Sequence, residues 1–83
     1  MGFHVRGSSL IEVAVLSDGV EGSKGRVVEF WDLTPGGQGE VMHIYYDPGL
    51  DPGSEFRLDL LGNSVPDDFI EWAISIARSE LMD

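Results

Sequence analysis

Only one stretch of the sequence repeats its apolar residues at the spacing of an α-helix, and it comes last, behind a series of short β-rich runs. At about 100° per residue, Phe69, Ile70, Ala73, Ile74, Ile76, Ala77 and Leu81 fall on one broad face, with Trp72 at its margin and Glu71, Ser75 and Ser79 opposite. Ser64, Pro66 and Asp67 supply a hydroxyl N-cap, a proline in the first turn and an early acid, so a helix near 65–81 is predicted. One helix covers one face of a small sheet. Apolar residues on the other face must find different cover.

Four runs read as strands. Residues 10–16 (LIEVAVL) are rich in β-branched side chains and end at Ser17-Asp18-Gly19. Residues 26–33 (RVVEFWDL) lie between Gly25 and Pro35-Gly36-Gly37, and 41–46 (VMHIYY) close at Asp47-Pro48-Gly49. In 55–61 the alternation is cleanest, with Phe56, Leu58 and Leu60 opposed to Glu55, Arg57 and Asp59. The expectation is a single α+β domain over 1–83: a four-stranded antiparallel meander with the C-terminal helix packed on one face. Phe56, Leu58 and Leu60 should then lie beneath the helix with Phe69, Ala73 and Ile76.

Two of these runs are apolar on both sides. Val28 and Phe30 oppose Val27, Trp31 and Leu33, while Met42, Ile44 and Tyr46 oppose Val41 and Tyr45. The second face calls for a cover: Phe3-His4-Val5 folded back, a symmetric second copy, a different protein, or strong sheet curvature with loops folded over the rear.

Charge narrows the choice of partner. The 83 residues hold 15 Asp and Glu against 5 Lys and Arg, a formal charge of −10. No Lys or Arg occurs from Val27 to Phe56, where Glu29, Asp32, Glu40, Asp47, Asp51 and Glu55 stand. Such a field repels phosphate backbones and attracts basic protein surfaces, so direct nucleic-acid binding is not expected. The apolar content of 42%, with two Trp, two Tyr and four Phe, is that of a folded chain rather than a disordered acidic one. The chain has no Cys, which removes disulfides, thiolate metal sites and thiol nucleophiles and fits a cytoplasmic location. No apolar run approaches the roughly 20 residues of a membrane span.

The chemical motifs reduce to local structure. Asp47, Asp51 and Glu55, four apart across two Asp-Pro-Gly units, lack the alternating ligands and sixth-position Gly of a calcium loop, and turn chemistry accounts for them. Residues 19–25 (GVEGSKG) have Gly, Ser and Lys in the wrong order for a phosphate loop and lead into a strand. His4 or His43 could serve a triad, but no nucleophile elbow accompanies them, and a His in an apolar strand is more often packed or partner-facing. Asp67 and Asp68, adjacent on a helix, project about 100° apart and suit its positive end rather than a glycosidase pair. No metal or cofactor is implied.

Aromatic residues beside acids carry more weight. Phe30-Trp31-Asp32 and Tyr45-Tyr46-Asp47 set large amphipathic rings next to carboxylates. Rings of this kind anchor interfaces, and neighbouring carboxylates meet the Lys and Arg of a partner. The candidate partner-binding residues are Glu29, Trp31, Asp32, Glu40, Tyr45, Asp47, Asp51 and Glu55. In size, charge and layout, with residues 39–46 (GEVMHIYY) and a closing helix over 66–81, the chain resembles the small acidic inhibitors of bacteria and phages, namely toxin immunity proteins and DNA-mimicking anti-CRISPR proteins. The resemblance implies a non-enzymatic inhibitor or regulator of a basic, nucleic-acid-handling protein. The alternatives are an accessory subunit or homodimer whose acidity serves solubility, and then a small hydrolase.

Overall fold

The computed structural model describes residues 2–17, 19, 21–22, 24–50 and 53–82, apart from the side chain of the last of these. Strands β1 (Gly2–Arg6), β2 (Ser9–Ser17), β3 (Arg26–Asp32), β4 (Gly39–Tyr46) and β5 (Phe56–Asp59) precede one helix, α1 (Asp67–Met82). The strands form a single antiparallel sheet in the order β1-β2-β3-β4-β5. An antiparallel sheet with a C-terminal helix is therefore present, but the sheet has five strands and not four. The additional strand is made of the N-terminal residues. Gly7 (φ 59°) and Ser8 form a two-residue turn, so Arg6 pairs with Ser9 and β1 runs back along β2. Phe3-His4-Val5 does not fold over the second face; it widens that face, with Phe3 and Val5 exposed.

Cross-strand neighbours share a face of the sheet, so the register sorts the side chains. On the helix side Val13, Phe30 and Met42 form one row, and Val15, Val28, Ile44 and Leu58 another. Ile11, Val13, Val28, Phe30, Met42 and Ile44 are almost wholly buried there beneath Phe69, Ala73 and Ala77, the i, i+4 stripe of α1. Each such burial contributes about 1.5–3 kcal/mol for a large side chain. The small Ala73 and Ala77 leave room for Phe30 and Met42 to fill the space between helix and sheet. Leu58 is a correction to the expected core. It points to the helix side but is 37% exposed, because β5 is the sheet edge and only Phe56 and Leu60 of its neighbourhood pack against the core.

Val41 is a second correction. Phe30 pairs with Met42 but Trp31 pairs with Glu40, so β4 has an extra residue at Val41. This bulge turns Val41 into the core, at 6% exposure, rather than onto the second face where simple alternation puts it. The Asn63 side chain braces the irregularity by donating to the carbonyls of Val41 (2.9 Å) and Glu40 (3.3 Å).

The helix starts two residues later than a Ser64 cap implies. The N–H groups of Phe69 and Ile70 both donate to the Pro66 carbonyl at 3.1 Å, which makes Pro66 the boundary residue. Its first turns lie over β1 as well as the core. The Trp72 ring meets His4, Phe30 and Phe69 edge-on at 5.6, 5.9 and 5.3 Å between centroids. The Arg6 guanidinium sits 4.9 Å from the Trp72 ring centre and 5.2 Å from that of Phe69. Trp72 is thus a central packing residue and not a marginal one.

Candidate functional site

No helix of the described chain is long and apolar enough to cross a membrane. The face of the sheet opposite α1 is open, and its side chains follow from the register. One row across the strands reads Phe3, Glu12, Trp31, Glu40; the next reads Ala14, Glu29, His43, Asp59; a third reads Leu16, Val27, Tyr45, Arg57. In each of the first two rows a ring lies between two carboxylates. Four acids thereby share a surface whose rows hold one guanidinium, that of Arg57.

Local contacts set the geometry. Trp31 Nε1 donates to Glu29 Oε1 at 3.2 Å, which ties the indole across its own strand. His43 Nδ1 lies 3.1 Å from Glu40 Oε2 and donates to it, since a carboxylate only accepts. This contact depends on the bulge: residues 40 and 43 would point to opposite faces of a regular strand, and the extra residue at Val41 brings them together. His43 Nε2 faces Asp59 Oδ2 at 3.4 Å without hydrogen-bond geometry and has no other partner. The imidazole is therefore held between two acids and against the Tyr45 ring, 4.8 Å away. The Arg57 guanidinium lies over the Tyr45 ring, 4.6 Å from its centre. Its charge is partly spent on that ring.

The structure unites only some of the residues singled out from the sequence. Glu29, Trp31, Glu40 and Tyr45 are together on the open face. Asp47 and Glu55 adjoin it, lining with Tyr45, Arg57 and Phe56 a hollow of about 420 Å³ at the β4–β5 end. Their carboxylates also serve their own turns, Asp47 accepting from Gly49 N–H (2.9 Å) and Glu55 from Gly53 N–H (2.6 Å). Asp32 belongs elsewhere. Its side chain accepts from Thr34 N–H (2.9 Å) and borders a cleft of about 320 Å³ with Arg6, Ser9 and Phe69, at the N-terminal end of α1. Asp51 lies outside the described residues.

No protein family, curated protein or solved structure matches the chain. Its chemistry must be taken from the face itself.

Four residues of that site were not selected from sequence: Glu12, Arg57, Asp59 and His43, the last weighed only as a triad member or a packed or partner-facing histidine. Glu12 was legible, since it alternates with the core residues Ile11 and Val13. Asp59 and Arg57 were read only as the wet side of a strand. What they join depends on which strands are neighbours, and that is settled by pairing. Among the described residues, no three His, Asp or Glu side chains are placed to hold a metal ion. Ser9 and Ser64 line the cleft at the helix end, on the other side of the sheet from His43.

Proposed function

We propose that this protein is a non-enzymatic binding protein that docks the β2–β5 part of its open face on a basic surface of another protein, inhibiting or regulating it. The observation that carries the reading is the doubled acid–ring–acid row: Glu12, Trp31, Glu40 beside Glu29, His43, Asp59. Carboxylates at this spacing meet Lys and Arg side chains, while Trp31 and Tyr45 offer flat, rigid area to bury between them. A basic surface of this extent is characteristic of proteins that handle nucleic acid, and a net charge of −10 draws such a surface in from a distance. His43 supports an interface role, because its ring sits between Glu40 and Asp59, carboxylates of the same face.

The test begins with the protein as bait in extracts of its source cell, with Glu29→Gln/Glu40→Gln as the matched control. The purified partner is then studied by stopped-flow kinetics. The double variant should associate about tenfold more slowly at low salt, and 0.5 M NaCl should slow the parent to a similar rate. Trp31→Ala should instead accelerate dissociation, since loss of a buried anchor ring costs about 2 kcal/mol or more. DNA or RNA bound by the partner should compete. Association indifferent to both salt and the double substitution would sink the proposal and favour an accessory subunit whose acidity serves solubility.

A further inference from the structure

The two edges of the sheet are unlike. β5 is four residues long, carries Asp59 and follows Glu55, all features that discourage a further strand. β1 is five residues without acid, lysine or proline, and Phe3 and Val5 on it are 63% and 76% exposed. Its backbone is open too. The Gly7–Ser8 turn makes Arg6 and Ser9 the hydrogen-bonded pair that closes the hairpin, so bonding to β2 falls on alternate residues, Arg6, His4 and Gly2. Leu10, which lies opposite Val5, shows the same phase: its N–H donates to Thr34 Oγ1 (3.0 Å) and its carbonyl accepts from Leu33 N–H (2.9 Å), both away from β1. The N–H and C=O groups of Phe3 and Val5 therefore point out of the sheet.

We infer that β1 is the seam of a two-fold homodimer, in which a second copy lays its own β1 antiparallel alongside, centred on His4. In this register Phe3 exchanges both backbone hydrogen bonds with Val5 of the second copy, and Val5 does so with Phe3 of the second copy. The seam is self-complementary in size, with Phe3 against Val5 on the open face and Arg6 against Gly2 on the helix side. Charge allows it as well. β1 contributes no carboxylate, the nearest acid of the open face is Glu12 one strand away, and Asp68 on the helix is 3.8 Å from Arg6. The acidic fields of the two copies thus lie toward opposite ends of a continuous sheet. A basic strand from another protein fits the edge poorly, since β1 itself offers it Arg6 and no acid. The seam leaves the open face of β2–β5 free, so dimerisation and partner docking stand or fall separately.

Sedimentation of the full chain from about 10 µM to 1 mM, at 0.05 and 0.5 M NaCl, tests the seam. A concentration-dependent dimer is expected, as a short strand pair is a modest interface. Salt should strengthen it, because it screens two like-charged chains; for the basic partner the sign is opposite. Val5→Pro deletes an outward N–H that β2 does not use and should raise the dimer dissociation constant at least tenfold. A second arm does not depend on that variant folding. The chain has no Cys. In the proposed register the two His4 Cα atoms are about 4.5 Å apart, within the span of a disulfide. Mild oxidation should cross-link His4→Cys into a dimer at least tenfold faster than Phe3→Cys, whose counterpart is Val5. A chain monomeric throughout, a Val5→Pro protein that dimerises like the parent, or equal cross-linking of the two cysteine variants would overturn the inference.

Discussion

Met42 and Leu58 point toward the same side of the sheet and differ in what lies above them. Met42 is fully buried between Phe30 and the helix, while Leu58, on the short edge strand, is 37% exposed. Met42→Ala should cost about 2–5 kcal/mol, the usual penalty for emptying a packed site. Leu58→Ala should cost less than about 1 kcal/mol, in the range of partly exposed positions. Urea unfolding of the two variants measures both, and equal losses would mean that the helix reaches further over β5 than the burial shows. The sequence showed which way Leu58 points, because alternation along a strand is a local property. Its burial was not legible there: it depends on where a single helix lies across the sheet, and the ring cluster of Trp72, Phe69, Phe30 and His4 holds that helix toward β1. Trp72 was misjudged for the same reason, since its partners His4 and Arg6 belong to a strand that no local signal announced.

At the scale of elements, the runs at 10–16, 26–33 and 41–46 were visible as strands because β-branched and aromatic residues cluster between Gly and Pro turns, and 55–61 because its apolar residues alternate. β1 was not, since Gly2–Arg6 is too short for the alternation of Phe3 and Val5 with His4 and Arg6 to mark a strand, and it gains its shape from pairing with β2. The bulge in β4 was equally hidden. An extra residue in a strand exists only relative to the strand beside it, and here its consequence is the Glu40–His43 contact at the centre of the open face. Of that face, the sequence placed Glu29, Trp31, Glu40 and Tyr45 among the candidates by composition, but it did not separate them from Asp32. The bulge is held by the segment before the helix through the two hydrogen bonds of the Asn63 amide. Asn63→Ala leaves the carbonyls of Glu40 and Val41 without that donor and should lower stability by about 1–2 kcal/mol in chemical denaturation. Amide exchange should rise first along Gly39–Met42; a uniform rise over the sheet would show that Asn63 does not brace the bulge in particular.

The whole molecule carries ten negative charges in excess on 83 residues, with few cations to offset them. Arg6, Arg57 and Arg78 lie over the rings of Trp72, Tyr45 and Phe56, which locates much of the positive charge against aromatic surface. Self-repulsion therefore weighs against the compact state, and screening should relieve it. In dilute protein, below self-association, raising NaCl from 0.05 to 0.5 M should lift the melting temperature by at least about 4 °C, the shift that 1 kcal/mol gives in a domain of this size. A fall in melting temperature would mean that attractive pairs outweigh repulsion. The bulge has a consequence at this scale as well, in the currency of heredity. Loss of the single codon for Val41 would return β4 to strict alternation with Glu40 still opposite Trp31 on the open face, so its cost would fall on the core, which loses a buried side chain. Losses or gains in the turn over 33–38 leave the parity of β4 unaltered. Descendants of this gene are thus free to vary that turn in length, and can lose even that triplet at the expense of one buried side chain, without giving up the acidic surface.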